Sequence, residues 1–396
     1  MRHSPTPDGG PRKRPIVALV ADGTTGFGRA ALRGAMRYAN IKRRWQIHEE
    51  LRNVHTLPVK DWPEFDGAIL AGVAAELVQY VKRRSGHLIV CTGTGNPQDA
   101  PVASLNDYEV GVMAAEHLLD CRLTRFAYYG LSPMQTSQNR HKGFVETIRT
   151  RGFECLDIGL GWLPPGQIME HETLPKLVHW LRTVEKPIGI MAVDDSQAHD
   201  LATVCLEAEI SVPDGVAIIG VNNDDLLCES TWPPISSVDG DYSRVGYAAA
   251  SMLDRLLGGE KLVGEDRAVR LSPLRVVRRQ STDLLAISDP DVSEAVRYIR
   301  EHACDPCNVE DVLAHVPVGR RWMERQFAKY LGRSPYDEIL RVRVENAKRL
   351  LLMRELRLEE ISARCGFSVV QQFRRAFLRA TGKTPGAFRT AANAVA

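Results

Sequence analysis

Short apolar runs alternate with amphipathic segments along the first two thirds of the chain. Runs that predict strands occupy residues 16–21, 45–50, 67–72, 88–93, 125–130, 187–193 and 216–221. Segments with helical periodicity occupy residues 28–40, 76–84, 140–151 and 196–209. Strands that are apolar on both faces and alternate with helices are typical of a parallel sheet covered by helices on each side. The pattern therefore predicts two doubly wound α/β units with a cleft between them.

The loops that follow these strands are polar, as in "ADGTTGFGR", "SLNDYE", "SPMQTSQNR", "AVDDSQ" and "GVNNDD". Ligands of doubly wound folds bind at the carboxyl ends of the strands. Carboxylate, amide and guanidinium groups at these ends would suit a polyol, whose hydroxyls donate and accept hydrogen bonds at once. The candidate ligand-binding residues are Asn106, Asp107, Arg140, Asp195, Asn222 and Asn223.

From residue 292 to residue 388 every periodic stretch is helical. A short helix at 309–315, a break at Gly319 and a helix at 320–330 form one unit. A helix that ends at Cys365, a turn at Gly366 and a helix at 368–380 repeat it. A short helix, a glycine-containing turn and a second helix are the helix-turn-helix plan, whose second helix can enter the DNA major groove. The tail is therefore predicted to carry two such motifs.

The second helix of each motif has a polar face opposite an aromatic stripe. This polar face carries Arg321, Glu324 and Arg325 in the first motif and Gln371, Gln372 and Arg375 in the second. Arg pairs with guanine and Gln with adenine through paired hydrogen bonds, so these six residues are the candidate base-reading groups. A helix predicted at 335–353 would span roughly 27 Å between the motifs, close to the ~34 Å of one DNA turn.

The charge distribution agrees with this division. Residues 290–396 contain 19 Lys and Arg against 13 Asp and Glu, whereas the preceding residues contain 32 against 36. A basic tail on a mildly acidic body is typical of a polyanion-binding module attached to a second domain.

Composition excludes several other classes of protein. No segment approaches the roughly 18 to 20 apolar residues of a membrane span, and the start lacks the apolar core of a signal peptide, so a cytoplasmic location is expected. Residues 1–14 are Pro-rich, Gly-rich and charged, and are predicted to be a disordered arm. The eight cysteines are predicted to be reduced thiols. Cys304 and Cys307 are closely spaced but lack partners for a zinc site, so no metal and no cofactor is expected.

The segments "LEEISARCGF", "FRRAF" and "TGKTPGAFR" follow one another between Leu358 and Arg389. Through these segments the tail resembles, over about 100 residues, the AraC/XylS family of transcription regulators. The resemblance implies that Arg321, Glu324, Arg325, Gln371, Gln372 and Arg375 face the bases. It also implies double-stranded operator DNA as a partner, with RNA polymerase as a further partner.

The body contains the segments "SLNDYEVGVMAAEHLL", "RHKGFVETIRTRGFE", "ISVPDGVAIIGVNNDD" and "PPISSVD". Through these segments it resembles the periplasmic-binding-protein-like domain of lactose-repressor-type regulators. The resemblance implies a two-lobed effector domain at 15–275 with a hinge near residues 105 and 237, a linker at 276–290 and the DNA-binding domain at 291–391. Arg140 and Asp195 would clamp ring hydroxyls, and Asn222 or Asn223 would bind from a third crossing region. Arg140 is expected to face solvent in the cleft.

The two resemblances together imply a sugar-responsive DNA-binding regulator that forms a homodimer, and they imply no enzyme. A pentose such as xylose is the expected effector, and activation of a utilisation operon is the expected outcome, with repression still open. Related regulators carry a carboxylate near Ala71 and often an Asp at Asn222. Losing these carboxylates leaves the identity of the sugar open, because a buried hydroxyl without a partner is costly.

A second hypothesis is an NAD(P)-dependent oxidoreductase. "IVALVADGTTGFGR" is a strand followed by a glycine-rich turn, and Glu49 and Glu50 follow about 20 residues later, as in a dinucleotide-binding unit. The spacing of Gly23, Gly26 and Gly28 does not match GxGxxG. Under the regulator hypothesis this loop lines the cleft and Glu49 is a candidate sugar contact.

Overall fold

The chain divides after Leu284 into two compact units. The computed structural model describes residues 14–42, 45–52, 62–91, 100–158, 160, 163, 166–284, 289–352 and 356–393. Almost all of the predicted amino-terminal arm lies outside the described residues. We call the first unit the body and the second unit the tail, and each is described by itself.

The body is built from parallel strands and helices. The strands described are β1 (Ile16–Asp22), β2 (Gln46–Arg52), β3 (Phe65–Ala71), β4 (Ser85–Cys91), β5 (Val102–Leu105), β6 (Phe126–Tyr129), β7 (Cys155–Asp157), β8 (Ile188–Ala192), β9 (Val216–Val221), β10 (Ser236–Asp239), β11 (Ala268–Leu271) and β12 (Arg275–Val277). The helices are α1 (Gly26–Lys42), α2 (Ala75–Lys82), α3 (Asp107–Asp120), α4 (Gln135–Thr150), α5 (Leu174–Thr183), α6 (Asp195–Glu207), α7 (Asp225–Ser230) and α8 (Tyr242–Leu257).

The strands form two six-stranded sheets, one in each lobe. Their orders are β11-β5-β4-β3-β1-β2 and β12-β10-β9-β8-β6-β7. Every pairing is parallel except that of β10 with β12. The central strands β1, β8 and β9 are buried almost throughout because helices cover both faces of their sheets. The predicted pair of doubly wound units is confirmed.

The chain crosses between the lobes three times, from β5 to α3, from β10 to α8 and from β11 to β12. The crossings lie side by side, since Asn106 N donates to Leu271 O at 2.8 Å and Leu274 N donates to Asp239 O at 2.8 Å. The first crossing follows Leu105 and the second follows Asp239, beside the predicted hinge positions near 105 and 237. The third crossing, at residues 271–275, was not given as a hinge position.

Close packing of α3 against α4 determines what lies beside the first crossing. A Cβ at Gly111 would lie 2.1 Å from Arg140 O, and one at Gly143 would lie 2.0 Å from Tyr108 O. Because only glycine permits backbones to approach this closely, the pair holds α4 directly against the start of α3. This contact brings Arg140 next to Asp107.

The body extends beyond residue 275, where the sequence predicted a linker. Strand β12 pairs with β10 in the second lobe. Ser281 Oγ then donates to Ile218 O at 2.5 Å, and Thr282 Oγ1 lies 2.7 Å from His117 Nε2. These buried contacts make residues 276–284 part of the body and confine the connection between the units to residues after Leu284.

The tail is helical throughout its described residues, as predicted. Its helices are α9 (Pro290–His302), α10 (Val309–His315), α11 (Arg320–Leu331), α12 (Pro335–Leu352), α13 (Leu358–Arg364), α14 (Val370–Thr381) and α15 (Pro385–Asn393). One core packs around Phe327 and a second around Phe373 and Phe377. Helix α12 contributes to both cores and joins the two helix-turn-helix motifs.

Candidate ligand site and nucleic-acid interface

Arg140 is the centre of a buried network at the hinge. Its Nε donates to Asp107 Oδ1 at 2.8 Å, its Nη1 to Val193 O at 2.7 Å and its Nη2 to Tyr242 OH at 3.0 Å. The Tyr242 hydroxyl in turn donates to Asn222 Oδ1 at 2.9 Å. We call Asp107, Arg140, Val193, Asn222 and Tyr242 the hinge cluster. It joins the starts of α3 and α8, which follow two of the three crossings.

The expectation that Arg140 faces solvent is wrong, because the residue is only 8% exposed. Helix α4 begins at Gln135, five residues before the predicted start, so Arg140 lies inside the helix and not at a loop edge. Its partner Asp107 is equally buried. Burial raises the pKa of Asp107, although Arg140 opposes this effect. The pair therefore contributes to the fold of the hinge.

Asp195 lies at the start of α6, in a second buried cluster at the carboxyl ends of β8 and β9. Its Oδ1 accepts from Ser237 Oγ at 2.6 Å and its Oδ2 accepts from Asp224 N at 2.7 Å. Burial raises the pKa of Asp195 to about 7, while the hydrogen bonds from Ser237 and Asp224 lower it. Its hydrogen-bond partners are neutral, so a proton or a ligand hydroxyl would stabilise this carboxyl group.

Asn222 and Asn223 lie in the turn after β9, within the second lobe, and not in a crossing as the resemblance implied. Their φ angles are 110° and 52°, which non-glycine residues rarely adopt. Asn223 N donates to Ser237 Oγ at 3.0 Å, and its buried Oδ1 accepts no hydrogen bond from the residues that the structure describes. Strained residues with an unsatisfied acceptor are typical of ligand sites.

The structure separates two other predicted residues from this arrangement. Asn106 is the N-cap of α3, and its side chain accepts from Glu109 N and donates to Glu109 Oε1 at 2.7 Å. Glu49 lies on the edge strand β2, exposed, in a groove that Arg33 and Arg37 of α1 also line. Neither residue joins the hinge cluster or the Asp195 cluster through a described hydrogen bond.

A salt bridge connects the two lobes beside the cleft. Arg29 Nη2 of α1 lies 3.1 Å from Asp224 Oδ2, and Arg29 Nη1 donates to Gly23 O at 2.9 Å. A Cβ at Gly26 would lie 2.4 Å from Asp224 Oδ2, so the loop after β1 directly contacts the second lobe. We call this pair the interlobe bridge. Sequence reasoning missed Arg29, Asp224 and Tyr242, although all three stand beside polar loops or crossings.

The loop after β1 does not suit a dinucleotide. Asp22 Oδ1 accepts from Thr24 N at 2.9 Å and from Thr24 Oγ1 at 2.6 Å. A dinucleotide loop directs such N–H groups at a pyrophosphate, which a carboxylate in this place would repel. Asp224 brings a second carboxylate against Gly26. The glycines here permit contact between the lobes, which argues against the oxidoreductase hypothesis.

Taken together, the two clusters place a guanidinium, carboxylates, amides and a phenol at strand ends and crossings of the body. Such groups match the donors and acceptors of a polyol. No group of three metal-ligating side chains occurs in the described part of the chain. Among the same residues, no helix has the length and apolar character required to cross a bilayer.

In the first helix-turn-helix motif, α11 packs Met323 and Phe327 inward and exposes Arg321 and Arg325. Glu324 is also exposed, but its Oε1 accepts from Arg320 Nε at 3.2 Å. Lys329 is exposed as well and follows Arg325 by one turn, although the sequence analysis did not select it. The exposed face of α11 therefore presents three cationic side chains suited to a DNA groove.

In the second motif, α14 packs Phe373 and Phe377 inward. Gln371 and Arg375 are exposed, together with Arg379, which was not among the predicted base-reading residues. Gln372 is half-buried, and its Nε2 donates to the Tyr336 hydroxyl of α12 at 3.4 Å. Gln371 and Arg375 are therefore better placed for base contacts than Gln372.

Comparison with known proteins identifies a domain in each unit. Residues 115–282 match the periplasmic binding protein-like domain, and residues 313–391 match a helix-turn-helix domain. The protein is a helix-turn-helix transcription regulator.

Some proteins are similar to this regulator over nearly its whole length. It is 29% identical over 387 residues to the xylose operon regulatory protein of Escherichia coli K12, covering 95% of this chain and 97% of that protein. The Haemophilus influenzae protein of the same name is 27% identical, covering 94% and 97% of the two chains. The structure of the xylose-binding transcription activator XylR superposes with a TM-score of 0.78 at 26% identity, covering 96% of the regulator and 99% of XylR.

Proposed function

We propose that the protein is a sugar-responsive transcription regulator whose effector is a pentose such as xylose. The observation that carries the proposal is the hinge cluster, in which Arg140, Asp107, Tyr242 and Asn222 bring polar groups to two lobe crossings. The whole-length similarity to xylose operon regulatory proteins supports the choice of sugar. The proposed role in the cell is activation of a pentose utilisation operon in the cytoplasm, and the protein is not proposed to be an enzyme.

The sugar is proposed to bind at the strand ends between the two clusters. Arg140 has five N–H donors, and three of them are used in the described contacts. One remaining donor on each terminal nitrogen is therefore available for a ring oxygen. Asp195 and the unsatisfied Asn223 Oδ1 offer acceptors from the other side. Asp107 would then orient Arg140 more than contact the sugar.

Lobe closure is the proposed link between sugar and DNA. The interlobe bridge joins α1 to the turn after β9, and the backbone of Asp224 is held by Asp195. A sugar that contacts Asp195 would therefore also hold Asp224 in position for Arg29. Binding shifts the equilibrium only if the sugar prefers one lobe arrangement, and this connection gives it a reason to do so.

The tail is proposed to bind operator DNA through α11 and α14, with the body forming a homodimer. Exposed guanidinium groups on both helices support DNA as the partner. A dimer would present four reading helices to two half-sites. Contact with RNA polymerase is the proposed route from DNA binding to activation.

Two measurements on the purified protein test the proposal. A thermal-shift screen of pentoses and hexoses should give a saturable rise in melting temperature for one pentose. Gel retardation of DNA selected from a random library should then change when this sugar is added. Turnover of NADH, or the absence of any selected DNA, would contradict the regulator hypothesis. Sedimentation at micromolar concentration tests the dimer.

A further inference from the structure

A single arginine of α12 binds the loop between α9 and α10, which leads into the first helix-turn-helix motif. Arg343 is buried, and its Nε donates to Ala303 O at 2.6 Å. Its Nη2 donates to Cys307 O at 2.7 Å and lies 3.4 Å from Asp305 O. These carbonyls belong to the connection between α9 and α10. The fixed fork of the guanidinium suits several carbonyls at once, which an ammonium group cannot match.

The same arginine contacts the turn of the second motif. Its guanidinium lies 5.6 Å from the centre of the Phe367 ring, within range of a cation–π interaction. Gly366, with φ at 74°, has no room for a side chain, since a Cβ there would lie 2.7 Å from Ala303 O and 2.9 Å from Cys304 O. The turn of the second motif therefore packs directly on the α9–α10 loop that leads into the first motif.

Apart from this junction, the two motifs pack in separate hydrophobic cores. Ile339 and Val342 of α12 pack in the first core, whereas Val344, Ala347 and Leu351 pack in the second. Arg343 lies between these sets, where α12 passes from one core to the other. A bend or twist of α12 at this point would change the distance between the reading helices α11 and α14. The junction around Arg343 opposes such a change.

We propose that Arg343 is a positioning residue that fixes the spacing and phase of α11 and α14, so that both helices enter the DNA together. It is buried and touches no base itself. This inference rests on the proposed DNA-binding function and adds how the two motifs are coupled. Two tethered reading helices in the correct geometry gain affinity over one by about 10²- to 10⁴-fold, and this gain is lost when the geometry is not held.

The test compares two DNA duplexes with the full-length protein. One duplex carries a selected site complete for both motifs, and the other has the segment for one motif scrambled. The variant Arg343→Met removes the guanidinium and keeps an unbranched apolar side chain. Lys348→Met is the matched control, since Lys348 lies on the same helix and pairs only with the exposed Glu345 among the described contacts. The measured quantity is the ratio of the two dissociation constants for each protein.

We expect Arg343→Met to reduce this ratio by at least about tenfold, mainly through weaker binding of the complete site. It should also tolerate one inserted base pair between the two segments better than the parent does. Lys348→Met should keep the parental ratio. Arg343→Lys should restore part of the ratio, because an ammonium group can bind one or two of the carbonyls.

An unchanged ratio in Arg343→Met would overturn the inference, as would an equal weakening on both duplexes, which indicates general loss of folding. If the tail of this variant does not fold, Phe367→Leu decides, because it removes the ring under the guanidinium and keeps an apolar side chain. Phe367→Leu should also lower the ratio, and a ratio equal to that of the parent would refute the proposed role of the junction around Arg343. Failure of the parent to select any DNA would instead refute the proposed function.

Discussion

Replacing Arg140 should destabilise the body even in the absence of sugar. The variant Arg140→Met removes three hydrogen bonds that join α4 to Asp107, Val193 and Tyr242. It also leaves the carboxylate of Asp107, which is 7% exposed, without its cation. The sequence predicted that Arg140 faces solvent, where its replacement would change the unliganded melting temperature little. The structure reverses this expectation.

The magnitude follows from the uncompensated charge. Removing one partner of a buried ion pair costs about 3 to 5 kcal/mol, because the remaining charge stays desolvated. For a domain of this size such a loss lowers the melting temperature by about 6 to 20 °C. The double variant Arg140→Met/Asp107→Asn should regain part of this loss, since it no longer buries a lone carboxylate. Asp107→Asn alone leaves a buried guanidinium and should also be less stable than the parent.

Urea and thermal unfolding without sugar, followed by circular dichroism, would measure these differences. Arg149→Met is the matched control, because Arg149 lies exposed on the same helix. It should melt within about 2 °C of the parent, as most surface substitutions do. A sugar-free Arg140→Met protein that melts as the parent does would refute the assignment of Arg140 to a buried hinge pair. A double variant less stable than Arg140→Met would refute the charge argument.

Further predictions concern the bridge, the carboxyl group and both ligands. Burial raises the pKa of Asp195 to about 7 from 3.8, so the folded body binds this proton more tightly than the unfolded chain and loses stability as pH rises from about 4 to 7. In urea unfolding between pH 5 and 8, Asp195→Asn should remove up to about 1.4 kcal/mol of this loss per pH unit, and an unchanged slope would refute the assignment. Arg29→Gln should weaken sugar binding several-fold in titration calorimetry and keep the unliganded melting temperature. An affinity equal to that of the parent would show that the interlobe bridge is not coupled to sugar binding. Arg375→Ala should reduce the free energy of binding to a selected DNA site by roughly 1 to 3 kcal/mol and relax the sequence preference at a few base pairs. Unchanged affinity and preference would show that α14 reads no bases. Ala71→Asp should improve xylose binding relative to the parent's preferred sugar if that sugar is not xylose, and a reduced xylose shift would count against a cleft at the end of β3.

The alternation of apolar runs and helices was sufficient to predict the two sheets, because strands buried on both faces leave a strong local pattern. Strands such as β7, β10 and β12 were not predicted, since three or four residues are too few to show periodicity. The third crossing and the true end of the body depend on β12 and on Ser281. Both make contacts with residues more than 35 positions earlier in the chain, which no local pattern reveals.

The types of residue in the candidate site were predicted more accurately than the burial of their side chains. Arg140, Asp107 and Asn222 do come together through Tyr242, with Asp107 at the start of α3, Asn222 after β9 and Arg140 inside α4. Their burial could not be read from the sequence, since it results from the close approach of α3 and α4. Glu49 shows the reverse error, because it was predicted near a strand end and lies instead in the middle of the edge strand β2.

The reading faces of the tail were predicted from helical periodicity, which fixes which side chains point away from an aromatic core. Periodicity does not reveal side-chain pairing. Glu324 contacts Arg320, which also binds Glu310 of the preceding helix at 2.6 Å. An arginine paired with two carboxylates stabilises the turn of the first motif more than it attracts DNA. Arg321 and Arg325 therefore remain the candidates for direct base contact.

The hinge cluster also explains how one ligand contact can change the angle between the lobes. Arg140 is bonded to the second crossing through Tyr242 at 3.0 Å and to the first through Asp107 at 2.8 Å. A sugar that takes up only the two remaining N–H donors would add contacts without disturbing either crossing. A sugar that displaces the Tyr242 hydroxyl would free the start of α8 and the side chain of Asn222 together. Tyr242→Phe separates these routes, because it removes the displaced hydroxyl and should make sugar affinity higher in the second case and unchanged in the first. Lower affinity would mean that this hydroxyl is itself a ligand contact.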